Sequence, residues 1–472
     1  VILDHYSYKD FKTDFYSKIK DVSIFEAGDF NFIKVITECL VVRYAIKGKI
    51  RQYVFYTFPG LFLSLKRISQ SRNKQAVADF KKFEDKYEGK TYDVLLIDNG
   101  RTLLDKNGKK ISFYFHNVRS YFFSKNISFL QYYERHDFDL YPDDFFDSGI
   151  KNHIKFSPLT VFDKELLGHL KSLFTNIKKE NFFTPAETEN IKSGLTVFYE
   201  SAKLWNFYLT KFKPKTVFLL GHYHREGLIY ACKKNKVEVR ELQHGLIAEE
   251  DIFYVLPDLY KPIKDKSLFA DKILTYGTYW NNLLKKGNEY APEQIKTLGY
   301  YLYEDTSGSE SEEKLLREFC KDHKVVLVTT QAALHNDFCS YVRGWMDTLK
   351  PESKIRFILK LHPADKDEWY KEFLNNNSVL ISRTRLEVVF KYATIHVTSY
   401  STTIFDAFRY NVKNYSVNFP SSADYVKTIV DDGFSELLGV NEYPDLNNIS
   451  AQANRITSTD FFETPKLERL LE

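Results

Sequence analysis

At 472 residues the chain exceeds what one hydrophobic core ordinarily supports, so two domains are expected. A content of 43% hydrophobic and 28% charged residues excludes a disordered or fibrous chain, and 67 Lys plus Arg against 63 Asp plus Glu, a formal charge of +4, excludes a dedicated nucleic-acid binder. Any anion site must therefore be local.

The four cysteines, Cys39, Cys232, Cys320 and Cys339, form no CxxC pair and suit a reducing compartment, so a cytoplasmic location is expected. The start, Val1 to His5, has neither a basic stretch followed by an apolar one nor an initiator Met, and a trimmed N-terminus is expected. The apolar stretch Tyr53 to Leu65 is broken by Pro59 and Gly60 and falls short of the roughly 20 residues that span a bilayer. The basic, aromatic neighbourhood of Phe62, Lys66, Arg67, Arg72 and Lys74 reads first as a solvated helix face and second as peripheral contact with the inner face of an anionic membrane.

In chain order, residues 1–90 show apolar helical spacing, and Tyr92 to Ile97 is a buried strand delivering the loop Asp98-Asn-Gly100. A turn at Asp105 to Gly108 leads to a second apolar run, Ile111 to Phe115. Residues 130–190 carry no clear period; their acidic, aromatic cluster Tyr141 to Phe146 suits an insert shaping an acceptor pocket. The clearest βαβ unit runs from Lys213 to Gly245: strand Thr216 to Leu220, helix Arg225 to Asn235, strand Val237 to Leu242. A right-handed crossover makes those strands parallel, so Gly221 to His224 and Gln243 to Gly245 leave the same carboxyl edge, where ligands bind. Lys272 to Tyr276 and Ile295 to Gly299 extend this sheet, and Asp305 to Glu313 reads as a linker.

Beyond the linker the rhythm restarts with strands Lys324 to Thr329, Arg356 to Leu361, Val379 to Ile381, Thr394 to Thr398 and Asn414 to Val417. The expected fold class is α/β, with two Rossmann-like domains facing a central cleft, the GT-B arrangement. Residues 1–305 form an N-terminal acceptor and catalytic domain with helical insertions and 306–446 a nucleotide-donor domain, while the tail 447–472 packs back across the interface.

In the second domain, strand 356–361 ends in His362-Pro363, and strand 394–398 ends in Ser399, Tyr400, Ser401, Thr402 and Thr403 before a helix carrying Asp406. Backbone amides at a helix start, three hydroxyls and an imidazole suit a phosphate; taken singly, each motif reads as well as an N-cap or a loop histidine. Asp406 is a candidate for ribose hydroxyls and Gln331 for the donor, with a solvated acid and a loop amide as their plain alternatives. In the first domain, His222, His224, Arg225, Glu226, Gln243 and His244 crowd one carboxyl edge. Glu226, His244 and Asp98, in that order, are the base or nucleophile candidates; His222, His224, Arg225, Gln243 and Gly245 are assigned to positioning, Gly245 also as a tight turn. His222 and His224 lack zinc spacing, so no metal is assigned, and a nucleotide-activated sugar is expected as co-substrate with no cofactor.

Glu241-Leu-Gln-His-Gly245, Leu359-Lys-Leu-His-Pro363 and Thr398-Ser-Tyr-Ser-Thr-Thr-Ile-Phe-Asp-Ala407 together resemble bacterial capsule and surface-polysaccharide glycosyltransferases, over roughly residues 213–410. Similar elements occur in the CDP-glycerol glycerophosphotransferases of teichoic acid synthesis, and an HP motif with a serine/threonine motif occurs in bacterial sialyltransferases and Kdo transferases. The resemblance implies that His362 and Ser399 to Thr403 hold the donor phosphate and that His244 lies at the catalytic cleft. The chain departs at Gln243, where the teichoic enzymes usually have an aromatic residue, and no acidic DDG-type motif precedes His362; Asp431-Asp-Gly433 follows it and reads as a turn. The implied function is transfer of a sugar, first a CMP-linked acidic sugar such as Kdo or a nonulosonic acid, to a lipid-linked or other bacterial surface glycan. A CDP-polyol phosphotransferase, a non-catalytic glycan-binding module and a nucleotide-sugar epimerase are the alternatives.

Overall fold

The computed structural model describes residues 15–17, 19, 21–46, 70–105, 108–133, 150–180, 183–245, 247, 253–256, 258–304, 310–350, 352–420, 426, 430–431, 433–447, 449 and 458–472. The apolar stretch 53–65, the positions Phe62, Lys66 and Arg67, the side chains of Arg72 and Lys74, the cluster 141–146, linker residues 305–309 and Asp432 lie outside them. The chain divides into two compact units: residues 1–244, 251–303 and 464–472 form unit 1, and 245–250 with 304–463 form unit 2.

Among the described residues unit 1 has a six-stranded sheet of β1 (Val94–Asp98), β2 (Phe129–Tyr133), β3 (Thr216–Leu219), β4 (Glu238–Leu242), β5 (Lys272–Thr275) and β6 (Ile295–Thr297). Their order is β6-β5-β4-β3-β1-β2, and every pair is parallel. The central strands are buried on both faces, which is why Val94-Leu-Leu-Ile97 and Val217-Phe-Leu219 read as unbroken apolar runs. Helices used below are α1 (Ile33–Ile46), α2 (His116–Ser124), α3 (Pro185–Phe212) and α4 (Glu226–Lys234). α3 starts on a capping box, with Thr184 accepting from the Glu187 amide and Pro185 in the first turn, and stops at Lys213 with φ 49°. The run 111–115 is strand only to Ser112, paired antiparallel with Thr102–Leu104, because Phe113 to Phe115 turn into α2. The segment without a clear period contains β2 and much of the helical layer that covers the sheet.

Unit 2 has β7 (Lys324–Thr329), β8 (Ile355–Lys360), β9 (Val379–Ser382), β10 (Ile395–Thr398), β11 (Lys413–Val417) and β12 (Glu436–Leu438), in the order β9-β8-β7-β10-β11-β12, all parallel. Counted from β7, this is the 3-2-1-4-5-6 order of dinucleotide-binding sheets. Alternation along β7 sends Val326 and Val328 to one core, with Phe338, Val342 and Trp345 of α5 (His335–Thr348), and Val325 and Leu327 to the other, with Ile358 and Val389. Both faces are therefore covered. Within this unit Phe461 packs on Phe405 and Phe408 of α6 (Thr403–Arg409), whereas residues 464–472 belong to unit 1. Among the described residues no helix is long and apolar enough to cross a membrane.

Candidate functional site

In unit 2 the strand order reverses at the parallel neighbours β7 and β10, the chain continuing from β7 to β8 on one side and from β10 to β11 on the other, and ligands of such sheets bind outside the carboxyl ends of the strands at that point. Gln331 follows β7 and Tyr400 follows β10, and the Tyr400 amide donates to Gln331 Oε1 at 3.3 Å. One strand over, His362 follows β8. Its backbone amide donates to Thr330 Oγ1 at 3.0 Å and to Asp365 Oδ2 at 2.9 Å, and the Thr330 hydroxyl also donates to Asp365. Its ring Nδ1 accepts from the Ala364 amide at 3.1 Å, so the ring proton of the neutral imidazole sits on Nε2. Arg383, just past β9, donates to His362 O at 3.1 Å, to Asp365 O at 2.8 Å and to Asp367 Oδ1 at 2.8 Å. The loop carrying His362 and Pro363, both exposed, is thus braced from two neighbouring strands.

The hydroxyls assigned to phosphate separate into two kinds. Ser399 is buried and donates to Val417 O at 3.0 Å. Thr403 Oγ1 lies 2.8 Å from Thr329 Oγ1, which lies 2.8 Å from His396 Nε2; His396 Nδ1 lies 2.6 Å from Asn414 Oδ1. Asn414 donates in turn to Ile404 O at 2.9 Å, so a buried polar chain crosses three strands and ends at the start of α6. Burial brings the His396 imidazole down to about 4, which keeps it neutral and fixes this chain of donors. Ser401, which accepts from the Thr403 amide at 3.3 Å, and Thr402 remain partly exposed, as does Asp406 on α6.

In unit 1 the candidates meet at the carboxyl ends of β1, β3 and β4, but most of their side chains turn inward. Asp98 is fully buried, its Oδ1 accepting from the Gly100 amide at 2.8 Å and its Oδ2 from Ser112 and Gln131 at 2.6 Å each. His222, also fully buried, sets Nδ1 2.6 Å from Glu241 Oε2 and Nε2 2.8 Å from Phe253 O. Tyr254 and Tyr290 complete the shell of that carboxylate, and its bonds to His222 and Tyr254 outweigh burial and hold it below the ordinary range. Gln243 Oε1 accepts from the Tyr276 amide at 2.9 Å, tying β4 to β5. Arg225 donates to Leu220 O and, at 2.6 Å, to Gly221 O, closing the end of β3. Gly245 has no left-handed φ, and a Cβ there would meet nothing within 4 Å, so the expected tight turn does not require a glycine.

Glu226 opens α4 and is buried against α1. Lys34 Nζ donates to Glu226 Oε1 at 2.8 Å and to His222 O at 3.2 Å, and Glu38 stands one turn along the same helix. Burial and the charge of Glu38 raise Glu226 well above the carboxylate range, against the pull of Lys34. For Glu38, burial is outweighed by hydrogen bonding to Glu226 and by Lys34 and His224, which bring it down to about 2. The pair therefore holds one proton, on Glu226. Glu38 also accepts from the His224 amide at 2.7 Å and faces its Nδ1 at 3.0 Å, holding that exposed residue at φ 61°.

His244 is placed differently. Its Nε2 lies 2.9 Å from Tyr223 Oη, while Nδ1 is buried without a hydrogen-bond partner. Tyr114 packs edge-on to the ring and donates to His244 O at 3.3 Å. Burial lowers the imidazole to about 4, so it is neutral at physiological pH. Gly221, at φ 77°, makes the room: a Cβ there would lie 2.9 Å from His244 Cε1 and 3.0 Å from Tyr223 Cε1.

Sequence reasoning missed Lys34, Glu38, Tyr114, Tyr223, Asp365, Arg383 and His396. A signal existed for two kinds of them: Lys34 and Glu38 interrupt an apolar helix at four-residue spacing, and His396 interrupts a buried strand, both costly unless paired. Among the described residues no group of three or more His, Cys, Asp or Glu is arranged to hold a metal ion.

No protein-family model matches the chain, and no curated protein matches it. Among solved structures it is similar to the Methanocaldococcus jannaschii UDP-GlcNAc 2-epimerase in complex with UDP-GlcNAc and UDP, with 14% identity over 80% of this chain and 98% of that one and a TM-score of 0.45. A second is S. aureus MnaA with UDP, at 14% identity, 74% and 84% coverage and a TM-score of 0.43. A third is the wall teichoic acid polymerase TagF, at 9% identity, 74% and 79% coverage and a TM-score of 0.35. None of these likenesses reaches a TM-score of 0.5, and none extends to function.

Proposed function

We propose that this chain is a nucleotide-sugar-dependent glycosyltransferase of the GT-B type whose unit 2 binds the nucleotide donor. The observation that carries the reading is the reversal of strand order at the parallel neighbours β7 and β10, where Gln331 and Tyr400 meet, flanked by His362 just past β8. There His362 Nε2–H, Ser401 and Thr402 are the donors for the phosphate that departs with the nucleotide, while Asp365 and Arg383 position the histidine. In unit 1, His244 is the base that takes the acceptor hydroxyl proton. It is neutral, and Tyr223 orients it, whereas Glu226 already carries a proton and both oxygens of Asp98 are engaged. His222, Gln243 and Arg225 then hold the loops rather than the substrate.

The motifs ending in His362 and beginning at Ser399 favour a CMP-linked acidic sugar as donor and a bacterial surface glycan, free or lipid-linked, as acceptor. A thermal-shift screen against CMP, CDP, UDP, UMP, GDP and ADP tests this, since a ligand of the folded state raises its apparent stability. Selective stabilisation by CMP is expected. A response to CDP alone redirects the reading to polyol-phosphate transfer, and no response to any nucleotide overturns it.

A further inference from the structure

α1 carries two charged side chains into the interior of unit 1. Lys34 and Glu38, 4% and 5% exposed, stand one turn apart among the buried apolar residues Ile33, Val35, Ile36 and Leu40. Charges in such a place are tolerated only when each is fully engaged. Lys34 gives its three protons to Glu226 Oε1 at 2.8 Å, His222 O at 3.2 Å and Leu268 O at 3.3 Å. Glu38 Oε2 accepts from the His224 amide at 2.7 Å and faces that residue's Nδ1 at 3.0 Å.

The two backbone contacts bracket a single residue. His222 O belongs to the peptide plane that enters Tyr223, and the His224 amide to the plane that leaves it. Lys34 and Glu38 together therefore hold both planes and, with them, φ and ψ of Tyr223. The segment is a turn: His222 O also accepts from the Arg225 amide at 3.3 Å, with Tyr223 and His224 at the two central positions. Of these two only His224 has a positive φ, 61°, at the position where such turns take glycine or asparagine. A histidine persists there only where its surroundings over-determine it, and the contacts of Glu38 with its amide and ring do so.

Tyr223 carries this geometry to the neighbouring strand end. Its Oη lies 2.9 Å from His244 Nε2, its ring packs on Phe253 with centroids 5.1 Å apart, and Gly221 leaves room for both rings. An ion pair that served only to join α1 to α4 would need neither the His222 carbonyl nor the His224 amide. With the shared proton on Glu226, Lys34 and Glu38 already balance in charge.

We propose that Lys34 and Glu38 are positioning residues that clamp the turn at Tyr223 and, through the Tyr223 hydroxyl, set the orientation of the His244 ring toward the acceptor. The proposal rests on the transferase reading only in taking His244 as the base.

NMR of the full chain with isotope-labelled histidine tests the clamp without substrate. Loss of a signal in His244→Gln identifies the ring, and Tyr223→Phe supplies its position when unheld. Glu38→Ala and Lys34→Met each remove one contact; in Glu38→Ala, Glu226 can ionise and pair with Lys34, so no buried charge is stranded. Circular dichroism and melting curves establish that each variant is folded. In whichever of the two folds, the His244 signal is expected to move toward its Tyr223→Phe position. Glu38→Gln, which keeps an acceptor for the His224 amide, is expected to bring it back. Turnover in glycosyl transfer should fall about tenfold or more in the same variants, with nucleotide affinity unchanged. A His244 signal at its wild-type position in folded Glu38→Ala or Lys34→Met, failure of both to fold, or nucleotide affinity lost in step with turnover would overturn the clamp. A wild type without transferase activity overturns the transferase reading instead, and the position of the His244 signal still decides the clamp.

Discussion

At the scale of single residues, what a side chain can do here is decided less by its type than by what the fold has already attached to it. His222 and His244 leave neighbouring strands at the same edge, yet His222 has both ring nitrogens engaged and His244 has one that is not. Replacing His244 by Gln is expected to lower turnover about 10²- to 10⁴-fold with nucleotide affinity unchanged, read from steady-state rates beside calorimetric titration. Gly221→Ala tests the same ring from the side. An alanine at φ 77° costs roughly 1–2 kcal/mol and its Cβ displaces His244, so both the melting temperature and turnover should fall. Variation at Gly245, where a Cβ meets nothing within 4 Å, should leave stability nearly unchanged.

At the scale of elements, the buried chain Asn414–His396–Thr329–Thr403 ties β11, β10 and β7 to the start of α6. Its central imidazole is lowered from 6.5 to about 4, so between those values the unfolded chain binds a proton that the folded one does not. Stability therefore rises with pH across that window, and the His396 contribution, roughly 3 kcal/mol, is lost as pH falls from 6.5 to 4. Denaturant titrations at pH 4.5 and 7 should show this slope, and His396→Gln should flatten it. Strands announced themselves in the sequence because a parallel sheet covered on both faces reads as unbroken apolar runs, as in Val94 to Ile97 and Lys324 to Thr329. β2 did not: Phe129-Leu-Gln-Tyr-Tyr133 carries a glutamine whose partner, Asp98, lies 33 residues away. Loop positions were legible for the same reason as strands, while side-chain directions were not, since Lys34 reaches Glu226 from 192 residues away and leaves no local pattern.

At the scale of the whole molecule, each unit is a parallel sheet with its own core, and the chain passes from the first to the second between Tyr303 and Glu304. The chain's last residues return to the first unit. Lys466 donates its amide to Leu298 O at 2.7 Å, Arg469 reaches Thr297 O at 2.5 Å, and Arg240 donates to Leu470 O at 2.6 Å. The first two contacts lie on β6, the edge strand of the sheet, or just past its end, and the third reaches β4. Ending the chain at Glu463 is expected to lower the melting temperature of unit 1 by several degrees, with the transition of unit 2 little changed, as differential scanning calorimetry would show. Equal loss in both transitions would mean that this segment serves unit 2 as well.

The central claim is that a nucleotide donor binds where β7 and β10 part, with His362 among its ligands. Isothermal titration of CMP into the wild type, His362→Ala and His244→Gln tests it most directly. The account predicts saturable binding by the wild type, affinity about tenfold or more weaker in His362→Ala, and wild-type affinity in His244→Gln. Equal binding by the wild type and His362→Ala, or no nucleotide binding by the wild type, would contradict it.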